Sequence, residues 1–140
     1  RLLLAQTIIF VNSRNRGDWL VKKLDGNDLP AKLIHGDLTQ AERTEIMQEF
    51  RSSDIRVLVS TDLLGRGIDV QQVSIVINYD IPKDKQQYLH RIGRSGRYGR
   101  KGIAINFKTD NPEDERKIKD IEEYYGTQID PMPENINDFI

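Results

Sequence analysis

Cysteine is absent from this 140-residue chain, which removes disulfide frameworks, cysteine nucleophiles and zinc knuckles, and fits a reducing compartment. Histidine is scarce. With only His35 and His90 in the sequence, no transition-metal site is expected. No apolar run reaches the roughly 18 residues that a bilayer span requires. The opening RLLLAQTIIF lacks the charged, then apolar, then small layout of a secretory signal. A soluble chain with no membrane partner is expected. Internal repeats and low-complexity tracts are missing too. A hydrophobic content of 37% supports one compact domain over residues 1–140, able to bury about two-thirds of its unfolded surface.

Charge is plentiful but unevenly placed. Residues 1–109 hold 18 Lys and Arg against 12 Asp and Glu, whereas residues 110–140 hold 3 against 10. The formal net charge of -1 therefore hides a basic body with an acidic C-terminal segment, and such a body can bind a polyanion on one face.

Short β-branched runs alternate with amphipathic ones. Strands are expected at 7–12 (TIIFVN), 31–35, 56–60 (RVLVS), 73–78 (VSIVIN) and 102–107 (GIAINF). Those at 56–60 and 73–78 are apolar almost throughout, as when helices cover both faces of a sheet. Ser13 offers an N-cap to a helix with Trp19, Leu20, Val21 and Leu24 on its apolar side, which favours Trp19 as a core residue over a base-stacking platform. Thr39-Gln40-Ala41-Glu42 reads as a capping box, opening a helix that turns Ile46, Met47 and Phe50 inward. A further helix is expected over 86–92, and another from Asn111-Pro112-Glu113 to about Tyr125. Alternating strands and helices imply a mostly parallel α/β sheet whose ligands gather at the carboxyl ends of the strands. The chain begins almost directly on a strand and is expected to be a piece of a longer protein.

Four segments follow strand ends: Asn12-Ser13-Arg14, His35-Gly36-Asp37, Ser60-Thr61-Asp62 running into Gly65-Arg66-Gly67-Ile68-Asp69, and the run HRIGRSGRYGR at 90–100. Thr61, Arg66 and Gly67 supply a hydroxyl, a guanidinium fork and a close-approaching backbone, the parts of a phosphate grip. Asp69 could accept from a sugar hydroxyl. A plain glycine turn with a surface arginine accounts for the same residues. In the last run Arg91, Arg94, Arg97 and Arg100 recur every third residue among Gly93, Gly96 and Gly99. A solvated basic helix end is the alternative there, but three glycines would weaken a helix by about 1 kcal/mol each. Tyr98 could stack or simply pack. His35 reads as a loop-anchoring hydrogen-bond partner.

Taken in order, these segments resemble the second RecA-like domain of a DEAD-box ATP-dependent RNA helicase, most closely the eukaryotic initiation factor 4A group. IIFVNSR resembles motif IV, HGDLTQAER the Gln-x-x-Arg element with Gln40 and Arg43, STDLLGRGID motif V, and HRIGRSGR motif VI. The tail IEEYYGTQIDPMPENINDFI resembles that group's C-terminal end, so the likeness covers essentially the whole chain. Gly65 departs from the alanine usual in motif V.

The resemblance implies a RecA-like three-layer sandwich with helices on both faces of the sheet. It implies that Arg94 and Arg97 are arginine fingers directed at ATP, and that Asp69 and Gly67 join them in holding the nucleotide. Asn12, Gly36, Arg43, Thr61, Arg66 and Gly67 would line a groove for the RNA sugar-phosphate backbone. His90 and Arg91 would serve the contact between domains. The partners implied are single-stranded RNA or a short RNA duplex gripped without regard to sequence, the first RecA-like domain of the same protein, and a helical-repeat scaffold. The setting implied is cytoplasmic or nuclear. Neither a G-x-x-x-x-G-K-[ST] loop nor an Asp-Glu-Ala-Asp element occurs in the chain. ATP with Mg2+ is thus expected to be held mainly by the first domain, and this domain is expected to be inactive by itself. A scaffold-docking module and a DNA-directed helicase are the rival readings.

Overall fold

The structure, a computed structural model, describes residues 6–61, 75–82 and 103–125. Among the described residues, five strands, β1 (Thr7–Phe10), β2 (Ala31–Ile34), β3 (Val57–Ser60), β4 (Ile75–Asn78) and β5 (Ile103–Asn106), form one sheet in the order β2-β3-β1-β4-β5. Every pairing is parallel. The registers share a common last rung, on which Ile34, Ser60, Phe10, Asn78 and Asn106 lie side by side.

Because side chains alternate across a strand, β1 feeds two cores. Ile8 and Phe10 pack with Ile34, Leu58, Val76 and the inner face of α2 (Gln40–Arg51), which contributes Ile46, Met47 and Phe50. On the other face, Ile9 and Val11 pack with Val57, Val59 and the α1 (Arg14–Asp25) residues Leu20, Val21 and Leu24. Helix, sheet and helix therefore make three layers, as the RecA-like likeness implies. Gly17 lets α1 approach β2 closely, since a Cβ there would lie 2.6 Å from Leu33 Cδ1.

Local signals start the helices. The Ser13 hydroxyl accepts from Arg16 N at 3.2 Å, capping α1. Thr39 and Glu42 form a reciprocal capping box on α2, with Thr39 N donating to Glu42 Oε1 at 2.8 Å and Glu42 N to Thr39 Oγ1 at 3.1 Å. Helix α3 (Pro112–Tyr125) begins on proline, whose missing N–H is no loss at a first helical position.

Trp19 departs from the sequence reading. It is 50% exposed rather than buried, with the Lys23 ammonium 5.6 Å from its ring centroid. The buried stripe runs through Gly17 and Leu20, which turns Trp19 outward. β1, β2 and β5 stop one or two residues short of their expected carboxyl ends, and β3 starts one residue later than expected. The helix expected over 86–92 lies outside the described residues. No helix among the described residues is long and apolar enough to cross a membrane.

Candidate functional site

The carboxyl edge of the sheet gathers the chemistry that hydrophobic packing leaves over. Asn12 follows β1, His35 and Gly36 follow β2, and Thr61 follows β3. Because β3 lies between β2 and β1, these loops leave three neighbouring strands. Thr61 is held by its backbone, its N–H donating to Ile34 O at 3.3 Å and its carbonyl accepting from the buried Ser60 hydroxyl at 2.7 Å.

Arg43 sits in the first turn of α2 and reaches back to this edge, where its Nη2 donates to Gly36 O at 2.9 Å. Its Nε is buried with no hydrogen-bond partner among the described residues. His35 is buried, and its Nδ1 accepts from Asp37 N at 3.2 Å. That is the loop-anchoring role expected of it. Asn12 is well tied: its backbone N–H donates to Asp80 Oδ2 at 2.8 Å and its amide nitrogen to Ile81 O at 3.1 Å. Asn12, Gly36, Arg43 and Thr61 thus share one edge. Arg66, Gly67, Asp69, His90, Arg91, Arg94 and Arg97, with Gly65, lie outside the described residues.

Sequence reasoning named Arg14 only as part of a strand-end segment and gave neither it nor Arg16 a role. The first turn of α1 contains no acidic residue, although the positive end of a helix dipole favours anions and disfavours cations. Instead Arg14 and Arg16 stand there and reach in opposite directions. Arg14 Nη1 meets Asp37 Oδ2 in the loop after β2 at 2.8 Å, while Arg16 Nη2 meets Asp80 Oδ1 after β4 at 3.2 Å. The Arg16 guanidinium also lies 5.7 Å from the Tyr79 ring centroid, and Tyr79 packs on Phe107 with 5.4 Å between centroids. A cleft of about 250 Å³ opens here, lined by Asn12, Arg16, Tyr79, Asp80, Phe107 and Asp114 among others. The available signal was the pair of arginines in a helix turn that prefers acids.

Among the described residues no group of three or more His, Cys, Asp or Glu side chains could hold a metal ion. The arrangement instead offers guanidinium, amide, hydroxyl and backbone donors along an edge, which suits an anionic polymer better than a single small ligand.

A family model described as "Helicase conserved C-terminal domain" matches residues 3–99. The Caenorhabditis elegans protein "Eukaryotic initiation factor 4A" is 57% identical over 136 residues, which cover 97% of this chain and 33% of that protein. The chain therefore spans about a third of the length of this curated relative. Among solved structures, "Structure of the C-terminal domain of the DEAD-box protein Dbp5" matches with a TM-score of 0.79 at 39% identity, covering 87% of this chain and 71% of that one. "S. cerevisiae Dbp5 bound to RNA and ADP BeF3" matches with a TM-score of 0.82 at 38% identity, covering 91% of this chain and 34% of that one.

Proposed function

We propose, from the premise that this chain belongs to the helicase conserved C-terminal domain family in its DEAD-box branch, that it is the C-terminal motor half of an ATP-dependent RNA helicase. The observation that carries this reading is the convergence of Asn12, Gly36 and Thr61 on neighbouring strand ends, with Arg43 bonded into the same edge. Donors of this kind meet phosphates and riboses rather than base edges. The grip is therefore independent of sequence and weakens with salt. Arg66 and Gly67 extend the same groove.

The chain works as one jaw of a clamp whose other jaw is the first RecA-like domain. ATP with Mg2+, held mainly by that domain, supplies the phosphoryl group that is transferred. Arg94 and Arg97 stabilise the charge that spreads over this group, an effect worth about a thousandfold or more in related reactions. Asp69 and Gly67 position the nucleotide, and His90 and Arg91 serve the contact between the jaws. Closure bends one RNA strand so that a short duplex cannot persist. A helical-repeat scaffold is a further partner, and the setting is cytoplasmic or nuclear. The likeness to initiation factor 4A supports a role in translation.

The deciding experiment is RNA-stimulated ATP hydrolysis by the full-length parent, comparing wild type with Arg94→Lys and Arg97→Lys, alongside RNA binding by each. Hydrolysis should collapse while RNA binding largely survives. Unchanged hydrolysis would reduce the arginine run to a basic surface and favour the scaffold-docking reading.

A further inference from the structure

The two arginines of the first α1 turn are paired very differently. Asp80, 12% exposed, takes both Arg16 and the Asn12 backbone N–H, so it is fixed from two sides. Asp37 is 76% exposed and Arg14 is 52% exposed, and a 2.8 Å contact joins them. A pair so open to water contributes close to nothing to stability. It opens readily.

Its position is what gives it meaning. β1 and β2 are not neighbours but flank β3, so the Arg14–Asp37 contact links the loops on either side of the β3 exit, where Thr61 stands. A free carboxylate beside a line of phosphates would repel them. Paired with Arg14, it is neutralised.

We propose that Arg14 and Asp37 form a releasable clasp across the RNA groove, in which Asp37 competes with an RNA phosphate for the Arg14 guanidinium. This rests on the reading of the edge as an RNA backbone groove. In the free protein Asp37 holds Arg14 over the groove; when RNA arrives, a phosphate takes the guanidinium, which can hold its oxygens bidentately. On release Asp37 takes it back, so the carboxylate speeds departure.

The sign of the prediction separates the clasp from an ordinary surface ion pair. With the full-length parent, ADP BeF3 and a short fluorescein-labelled oligouridylate, anisotropy and stopped-flow release are measured across salt concentrations. Asp37→Asn should tighten binding about two- to fivefold, mainly by slowing release. Arg14→Ala should weaken it about three- to tenfold and lower the salt slope by roughly 0.7, the loss of one single-strand phosphate contact. In the Arg14→Ala background, Asp37→Asn should tighten binding less than it does beside Arg14, because only the repulsion between carboxylate and phosphates is then removed and no competition for the guanidinium remains. If wild type binds and Asp37→Asn leaves binding unchanged or weaker, the clasp is overturned while the groove stands. If wild type and all variants fail to bind oligouridylate, the groove reading falls and takes the clasp with it.

Discussion

Asn78 donates its side-chain amide to Asn106 Oδ1 at 2.7 Å on the last rung between β4 and β5. Asn78 is completely buried. An amide there costs stability unless partnered. Asn78→Leu should therefore destabilise the fold by about 1–3 kcal/mol by leaving Asn106 without this donor. Asn78→Leu with Asn106→Leu should cost less than the two single changes added together, because both polar partners are removed. Urea denaturation of the four proteins of the cycle measures the difference.

The capping box carries a pH dependence. The Thr39 backbone N–H, and after it the Thr39 hydroxyl, hold the Glu42 carboxyl below its ordinary value of 4.5. A depressed carboxyl stabilises the fold above its unfolded value and loses that contribution as pH falls through the folded one. Glu42→Gln should thus flatten the acid limb of the stability curve, followed by urea midpoints from neutral pH down to about 3. Thr39→Ala should cost about 1 kcal/mol at neutral pH.

Gly17 sets two effects against each other. Alanine in a helix gains about 1 kcal/mol over glycine, but its Cβ would press on Leu33 Cδ1. That atom is the far end of a flexible side chain, so Gly17→Ala should stay within about 1 kcal/mol of wild type. Gly17→Leu overpacks the contact and should lose about 1–3 kcal/mol. Thermal melts of both variants distinguish the outcomes.

Asp80 should matter far more than Asp37 for folding. Asp80→Ala removes the acceptor shared by Asn12 N and Arg16, and should destabilise by about 1.5–3 kcal/mol. Asp37→Ala should change stability by less than about 1 kcal/mol. Equal effects in chemical denaturation would contradict the contrast drawn from their burial.

Local rules explain why much of this was readable in advance. Ser13, the Thr39–Glu42 box and Pro112 mark helix starts within four residues of sequence, and the apolar runs of β3 and β4 report a sheet covered on both faces. Trp19 was misplaced for a physical reason: the stripe that faces the sheet includes Gly17, and a glycine is invisible to any count of apolar side chains. Asn12, Gly36 and Thr61 could be assigned to one edge because a parallel sheet puts all its carboxyl ends together. The partners of Arg14 and Arg16 could not. Asp37 and Asp80 lie far along the chain, and only the strand order brings them to opposite sides of one helix turn.

The common last rung of the sheet has a geometric consequence. Ile34, Ser60, Phe10, Asn78 and Asn106 end their strands on one rung, so the loops that follow start level with one another along a twisted edge roughly 19 Å long, four strand spacings of about 4.8 Å. A compact ligand touches neighbouring loops only. A chain laid along this edge meets each loop in turn.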